Sequence, residues 1–213
     1  MNSNHKTEKH PSIPYLDLSP SQGRLCVPAT SFIGEHVTVT EKMDGELTVL
    51  YPGGYFHNRS LTKSRHWSRD LFASNAWRLS QMLRYNERGV FENLTATHTI
   101  EYKDLDGFFC LLYIVRGDTV LSYRETRKIA VANDIPMPNL LFSGVMRSVG
   151  DFRSIKAFRE GYVVRYSGTF PYMKLGNFSA KYVKKDFVQS DIHWSLAPMT
   201  MNSLKEERHR RYG

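Results

Sequence analysis

Cysteine is scarce: the 213 residues hold only Cys26 and Cys110. Two isolated cysteines make neither a disulfide framework nor a zinc site, so the fold must rest on its apolar core. Cys110 lies within the run from Phe108 to Val115 and reads as part of that core. Long apolar runs are missing too. The longest, FFCLLYIV, has eight residues, far short of the roughly 20 that a membrane-spanning helix needs. The opening MNSNHKTEKH is polar and lacks the apolar centre of a secretion signal. Repeats and low-complexity tracts are absent. These absences exclude a disulfide-stapled secreted module, a membrane carrier and a solenoid scaffold. They imply a cytoplasmic protein in a reducing compartment.

Acidic residues are in deficit. Lys and Arg total 29 against 21 Asp and Glu, a formal charge of +8. That balance favours a polyanionic partner, although part of the excess lies in the final KEERHRRYG. Apolar content is 41%, ordinary for a soluble globular chain. The length suits one domain with a real core, or one domain and a small appendage.

Residues 1–24 are rich in Pro, Ser and His and read as an extended N-terminal segment. Strand patterns follow at 36–41, 47–51 and 54–57, the first two dominated by Thr and Val. Trp67, Leu71, Phe72, Trp77, Leu79 and Leu83 recur at helical spacings, which predicts a helix over about 67–84. Strands are expected at 89–93, 98–102, 107–115 and 118–122. A second helix is expected in SYRETRKIAVANDI, with Ser122 as N-cap. NLLFSG reads as a short strand, 150–158 as a weak helix, EGYVVRYS as a strong strand, and FSAKYVKKDFV as a last strand and turn. Strands outnumber helices and hairpins are common, which argues for an α+β fold with largely antiparallel sheets.

One short stretch carries chemistry. In TEKMDGELTVLY, Lys42 stands at the end of a strand and before Asp44-Gly45, a hairpin-type turn signal. A lysine there is either a solvated turn residue or a nucleophile held over a nucleotide. K-x-D-G alone recurs by chance in roughly one chain in twenty to thirty of this length, so its company decides. HNRS follows at 57–60, FENL at 91–94, FFCLLYI at 108–114, EGYVVR at 160–165 and AKYVKK at 180–185.

In that order and spacing, the segments VTVTEKMDGELTVLY, HNRS, ENLTATHTIEYKDL, EGYVVR and AKYVKKDFVQSDIHW resemble the phage-type ATP-dependent RNA ligase family of the covalent nucleotidyltransferase superfamily. The resemblance covers about residues 10–195. It implies a nucleotidyltransferase (ATP-grasp-like ligase adenylylation) domain over 25–195, with two mostly antiparallel sheets flanked by helices, followed by a basic tail over 196–213. It implies sealing of RNA 5′-phosphate and 3′-hydroxyl ends through a lysyl-AMP intermediate, with ATP and a divalent cation, Mg²⁺ or Mn²⁺. Lys42 would be the nucleophile, with Asp44 and Gly45 in its loop. Lys181, Lys184 and Arg59 would meet charge on the transferred phosphoryl group. Glu92 would accept from ribose hydroxyls, Glu160 would hold the metal, and Leu112 would lie against the base. Glu46 and Arg165 are second choices for positioning. His98 and His193 read better as structural histidines, and Trp194 as core.

Three positions depart from the family pattern. Leu47 stands where Asn is usual, Phe91 where Gly precedes the motif glutamate, and Leu112 where an aromatic ring often stacks on adenine. Such enzymes often carry a further domain after this point. The short stretch past HWSLAP therefore implies either a minimal ligase or one that engages RNA through a partner protein. Rival readings are an RNA-capping guanylyltransferase, a small DNA ligase, and an RNA-binding remnant that keeps the fold but has lost turnover.

Overall fold

The computed structural model describes residues 9–20, 24–59, 61, 66–156, 159–185, 187 and 200–205. Twelve strands in these residues form two six-stranded sheets. The first contains β1 (Tyr15–Leu16), β2 (Cys26–Val27), β3 (His36–Glu41), β9 (Leu140–Val145), β10 (Gly161–Tyr166) and β12 (Ser179–Val183), in the order β2-β1-β12-β10-β3-β9. The second contains β4 (Glu46–Leu50), β5 (Phe56–Asn58), β6 (Glu87–Asn93), β7 (Phe109–Arg116), β8 (Thr119–Val120) and β11 (Phe170–Pro171), in the order β11-β8-β7-β6-β4-β5. Only β1 pairs in parallel, with β2 and β12; the other ladders are antiparallel. The chain is α+β, as its strand-rich pattern predicts.

Helices α1 (Trp67–Ser80) and α2 (Tyr123–Ala132) flank the second sheet, and α3 (Val149–Ser154) packs against the first. In α2, Ser122 and Glu125 form a reciprocal capping box, which satisfies backbone donors left open at a helix start. Phe72, Ala76 and Leu79 of α1 pack with Phe91, Phe109, Leu111 and Ile114. Phe152 of α3 packs with Val37, Val39, Tyr162 and Val164. A third cluster joins the sheets: Val49, Tyr113 and Val115 from the second meet Tyr166 from β10 and Phe178. Cys110 is buried, in keeping with its apolar run.

Several expected boundaries move. The first helix ends at Ser80, and Leu83 is then buried from a turn closed by its N–H to the Ser80 carbonyl. The strand placed at 54–57 is Phe56–Asn58, after a tight turn at Pro52–Gly54. The helix placed at 150–158 is α3, shorter and earlier.

Two expectations fail in kind. Asp44-Gly45 is no hairpin: β3 pairs with β9 and β10, and β4 with β5 and β6, so the chain crosses here from one sheet to the other. Turn chemistry fixes a local bend; the partners of each strand fix where the chain goes next. Residues 98–102 form no strand. The amides of Thr99, Ile100 and Tyr102 are spent on the side chains of Asp44 and Asn202 instead of a ladder.

Part of the segment read as a basic tail is folded onto the core. Met201 bridges Ala96, Leu204 bridges Leu105, and Asn202 and Leu204 are buried. His193 and Trp194 lie outside the described residues. Among the described residues no helix is long and apolar enough to cross a membrane.

Candidate functional site

Lys42 follows β3 directly, and its backbone N–H donates to the Gly161 carbonyl at 3.0 Å. The antiparallel register that sets Glu41 opposite Tyr162 thereby brings Glu160 to the lysine loop. Lys42 Nζ lies 2.5 Å from Glu160 Oε2. The Glu160 side chain is 2% exposed and that of Lys42 21%, so the pair is shielded on one side and open on the other. Burial raises the Glu160 carboxyl above its usual range, while the Lys42 ammonium pulls it back. Lys184 donates its backbone N–H to the Glu160 carbonyl at 3.0 Å. Gly161 makes this junction feasible: a Cβ there would sit 1.9 Å from the Tyr182 carbonyl oxygen on β12.

The second sheet supplies the opposite wall. Glu92 of β6 pairs across the ladder with Leu47, and its Oε1 accepts the Gly45 N–H at 3.0 Å. Gly45 must be glycine here, because a Cβ would lie 2.5 Å from the Asn93 carbonyl oxygen. Burial pushes the Glu92 carboxyl up to about 7; Lys42 and the Gly45 N–H oppose the rise, and the Glu160 and Asp44 carboxylates add to it. Asp44 accepts from the Thr99 and Ile100 N–H groups at 2.8 and 2.9 Å. Its own N–H donates to the Tyr102 hydroxyl at 3.0 Å. Glu46 is engaged elsewhere: Arg69 of α1 grips both its oxygens, one through Nε at 2.8 Å and the other through Nη2.

The cations converge from two sides. Lys181 stands on β12 with its Nζ 4.3 Å from the centre of the Tyr15 ring. Burial first, and then the positive charges of Lys42 and Arg59, push its ammonium down to about 8. Arg59, just past β5, donates to the Ser12 hydroxyl and, through its backbone N–H, to the Leu47 carbonyl at 3.2 Å. Arg165 is sunk beneath this region, with its guanidinium 4.5 Å from the Tyr113 ring centre and donating to the Leu112 carbonyl at 3.1 Å. Leu112 is the extra residue of a β-bulge: Val90 pairs with Tyr113 and Phe91 with Leu111, which leaves it no partner on β6. Leu112 and Leu47 are half-buried and pack with Ile13 against the cluster between the sheets. Phe91 is wholly buried among aromatic rings.

The structure thus gathers Lys42, Glu160, Lys181, Arg59 and Glu92 by contact or charge, with Asp44 and Gly45 bracing the loop. It ties Glu46 to α1. His98 is half-buried in the loop that holds Asp44. Sequence reasoning missed Tyr102, Arg69, Tyr15 and Ser12, which hold the site from behind. Tyr102 lies inside a motif segment, THTIEY, so its position was visible while its bond to Asp44 was not. Arg69 and Tyr15 offer no local signal, because their partners come from remote strands.

Among the described residues no group of three His, Cys, Asp or Glu side chains could hold a metal by itself. A divalent ion is commonly held by one or two carboxylates, with phosphate oxygens and water filling the remaining positions. The buried Glu160 carboxylate beside Lys42 fits that description. Chemically, an amine beside a buried base, a second carboxylate and two further cations suit transfer of a phosphoryl group to the amine.

Comparison with curated sequences gives no significant match. Solved structures of the Naegleria gruberi RNA ligase are similar in fold. A variant with AMP and Mn is 16% identical with a TM-score of 0.51, over 74% of this chain and 52% of that one. An apo variant is 17% identical with the same TM-score and the same coverage of each chain. A variant with ATP and Mn is 14% identical, again at 0.51 over 74% and 52%. The chain spans about half the length of these proteins. The RNA ligase family matches residues 35–183, from the strand before Lys42 to the end of β12. With most of its length so matched, the chain belongs to the RNA ligase family.

Proposed function

We propose that the chain is the adenylylating module of an ATP-dependent RNA ligase, with residues 25–195 as the catalytic domain and Lys42 as the nucleophile. The observation that carries this reading is the Lys42 amine 2.5 Å from the buried Glu160 carboxylate. A lysine ammonium must shed a proton before it attacks. Glu160 is the acceptor in contact, and burial makes it a stronger base than a free carboxylate. The Lys42 nitrogen then bonds the α-phosphorus of ATP while the bond from that phosphorus to the bridging oxygen breaks and pyrophosphate leaves. Lys181 and Arg59 meet the charge on the phosphoryl oxygens. A divalent ion at Glu160 would supply further charge neutralisation on the phosphates. Glu92, braced by the Gly45 N–H, accepts from ribose hydroxyls.

In the next step an oxygen of an RNA 5′-phosphate attacks the lysyl-AMP phosphorus, and the P–N bond breaks to restore the lysine. A 3′-hydroxyl of RNA then attacks the activated 5′-phosphorus, forms the phosphodiester and releases AMP. The charge of +8 suits a polyanionic substrate.

Mass spectrometry of the purified protein after incubation with ATP and Mg²⁺ tests the reading. The expected result is a gain of one AMP, acid-labile and mapped to Lys42. No label, a label elsewhere, or a preference for GTP overturns it.

A further inference from the structure

Residues 200–205 lie beyond the family match and still reach the nucleophile loop through a chain of hydrogen bonds. Asn202 is 2% exposed and spends its whole amide on one loop, residues 94–105. Its Nδ2 donates to the Leu94 and Ala96 carbonyls at 2.8 and 3.2 Å, on the outgoing arm. Its Oδ1 accepts from the Tyr102 N–H at 2.8 Å, on the returning arm, and from the Thr97 hydroxyl at 3.0 Å. Backbone bonds extend the seam: Asn202 N–H to the Thr95 carbonyl at 3.0 Å, and Ser203 N–H to the Tyr102 carbonyl at 2.8 Å.

The tip of that loop is the cradle of Asp44. Thr99 and Ile100 donate to its carboxylate, and the Tyr102 hydroxyl accepts its N–H. Asp44 stands two residues after Lys42. Without a strand ladder of its own, the loop owes its shape to the residue that ties its arms together, and a buried amide with all its groups paired is a rigid tie.

We infer that Asn202 is a positioning residue for the reacting lysine: it fixes the 94–105 loop, which fixes Asp44, which sets the direction of Lys42. The inference rests on the adenylylation reading above. Asn202 is buried with its amide spent on the loop, so it acts on orientation, and its loss falls on the rate of lysine attack and spares nucleotide affinity. A small misplacement of a reacting group costs roughly a hundredfold in rate.

The test uses the full chain, with hydrogen exchange at Thr99 and Ile100 read beside single-turnover AMP transfer. In Asn202→Ala, both amides are expected to exchange at least ~10-fold faster. The rate at saturating ATP falls by ~10–100-fold, and the ATP concentration for half-saturation shifts less than ~3-fold. Tyr102→Phe removes only the hydroxyl that meets Asp44 and slows transfer likewise. The double variant is little slower than the worse single one, because both act along one path. Lys205→Ala, which breaks only an exposed pair with Asp106, changes neither readout. Asn202→Ser keeps a small polar group and gives the same two readouts if the alanine variant does not fold. Unchanged exchange at Thr99 and Ile100, transfer at the wild-type rate, or multiplying losses in the double variant each overturn the inference. If wild type takes up no AMP, the adenylylation reading fails on its own, while the exchange measurement still judges the tie.

Discussion

The sheet built on β3, β10 and β12 brings opposite charges into contact: Lys42 on Glu160, with Lys181 near both. The sheet built on β4, β6 and β7 brings the Glu92 carboxylate, opposite Leu47 and held by a backbone N–H. Charges on the first wall answer to one another, so changing one resets its neighbours. Burial is the largest influence on both walls, but Glu92 meets a backbone N–H where Glu160 meets an ammonium, so its charge shifts with pH and solvent exclusion. Reactivity on one wall and recognition on the other would give single substitutions with different signatures, and that contrast can be broken at named residues.

The largest effect is expected on the first wall. Lys42→Ala removes the proposed nucleophile and is expected to abolish AMP transfer. It also strips the buried Glu160 of its cation, at a cost of about 1–3 kcal/mol at pH 8. That cost shrinks near pH 5, where an unpaired buried carboxyl takes up a proton. Melting curves at the two pH values check this. A protein equally destabilised at both would mean that Glu160 does not depend on Lys42.

Next comes Lys181→Ala, expected to slow AMP transfer by at least about tenfold at pH 7 by removing a cation from the phosphoryl oxygens. The Lys181 ammonium is pushed down to about 8. It is charged below that pH and neutral above it. The ratio of wild-type to variant rates should therefore be flat below about 8 and narrow as pH rises further. A ratio independent of pH would remove Lys181 from the charge network of the first wall.

These two walls were unequally legible in the sequence. Lys42, Glu92, Glu160 and Lys181 stood out in the sequence through local pattern and spacing, and the structure brings them within contact or charge range of one another. The alternation of Thr and Val announced β3 and β4, yet the Asp44-Gly45 signal suggested that they pair, and they do not. Sheet membership depends on remote partners such as Val163 and Asn93, which local turn chemistry does not encode. The loop at 98–102 has strand-like composition, but Asp44 and Asn202 take its amides. The grip of Arg69 on Glu46 and of Tyr15 on Lys181 were invisible for the same reason: each joins residues far apart in the chain.

A third, smaller effect tests the second wall. Burial lifts Glu92 to about 7 from an ordinary 4.5. Its folded-state pKa is thus raised, so the native state binds the proton more tightly, and stability falls as pH climbs from about 4.5 through 7. Glu92→Gln keeps an acceptor for the Gly45 N–H and removes the ionisation cost. It should raise stability by about 3 kcal/mol at pH 8 and by less than about 1 kcal/mol at pH 5. It should also weaken ATP binding, since a neutral amide accepts less strongly from ribose hydroxyls. A stabilised variant with weakened binding would mark Glu92 as a group retained for recognition against the interest of the fold. Loss of stability at pH 8 would show that a cation supports Glu92 more than burial opposes it.

The smallest effect is expected at Leu47, opposite Glu92 on the same wall. Asparagine there would match the usual family residue and could bond a phosphate oxygen or a metal-bound water, which leucine cannot do. The surroundings argue otherwise. Leu47 is half-buried and, like Ile13 and Leu112, packs against the cluster between the sheets. A lone amide at this position loses apolar packing against that cluster. Leu47→Asn should cost about 1 kcal/mol of stability, read as a lower Tm, and leave AMP transfer within about twofold. An increase of tenfold in transfer without a colder melt would place the Leu47 side chain in contact with the nucleotide and make the second wall reactive as well.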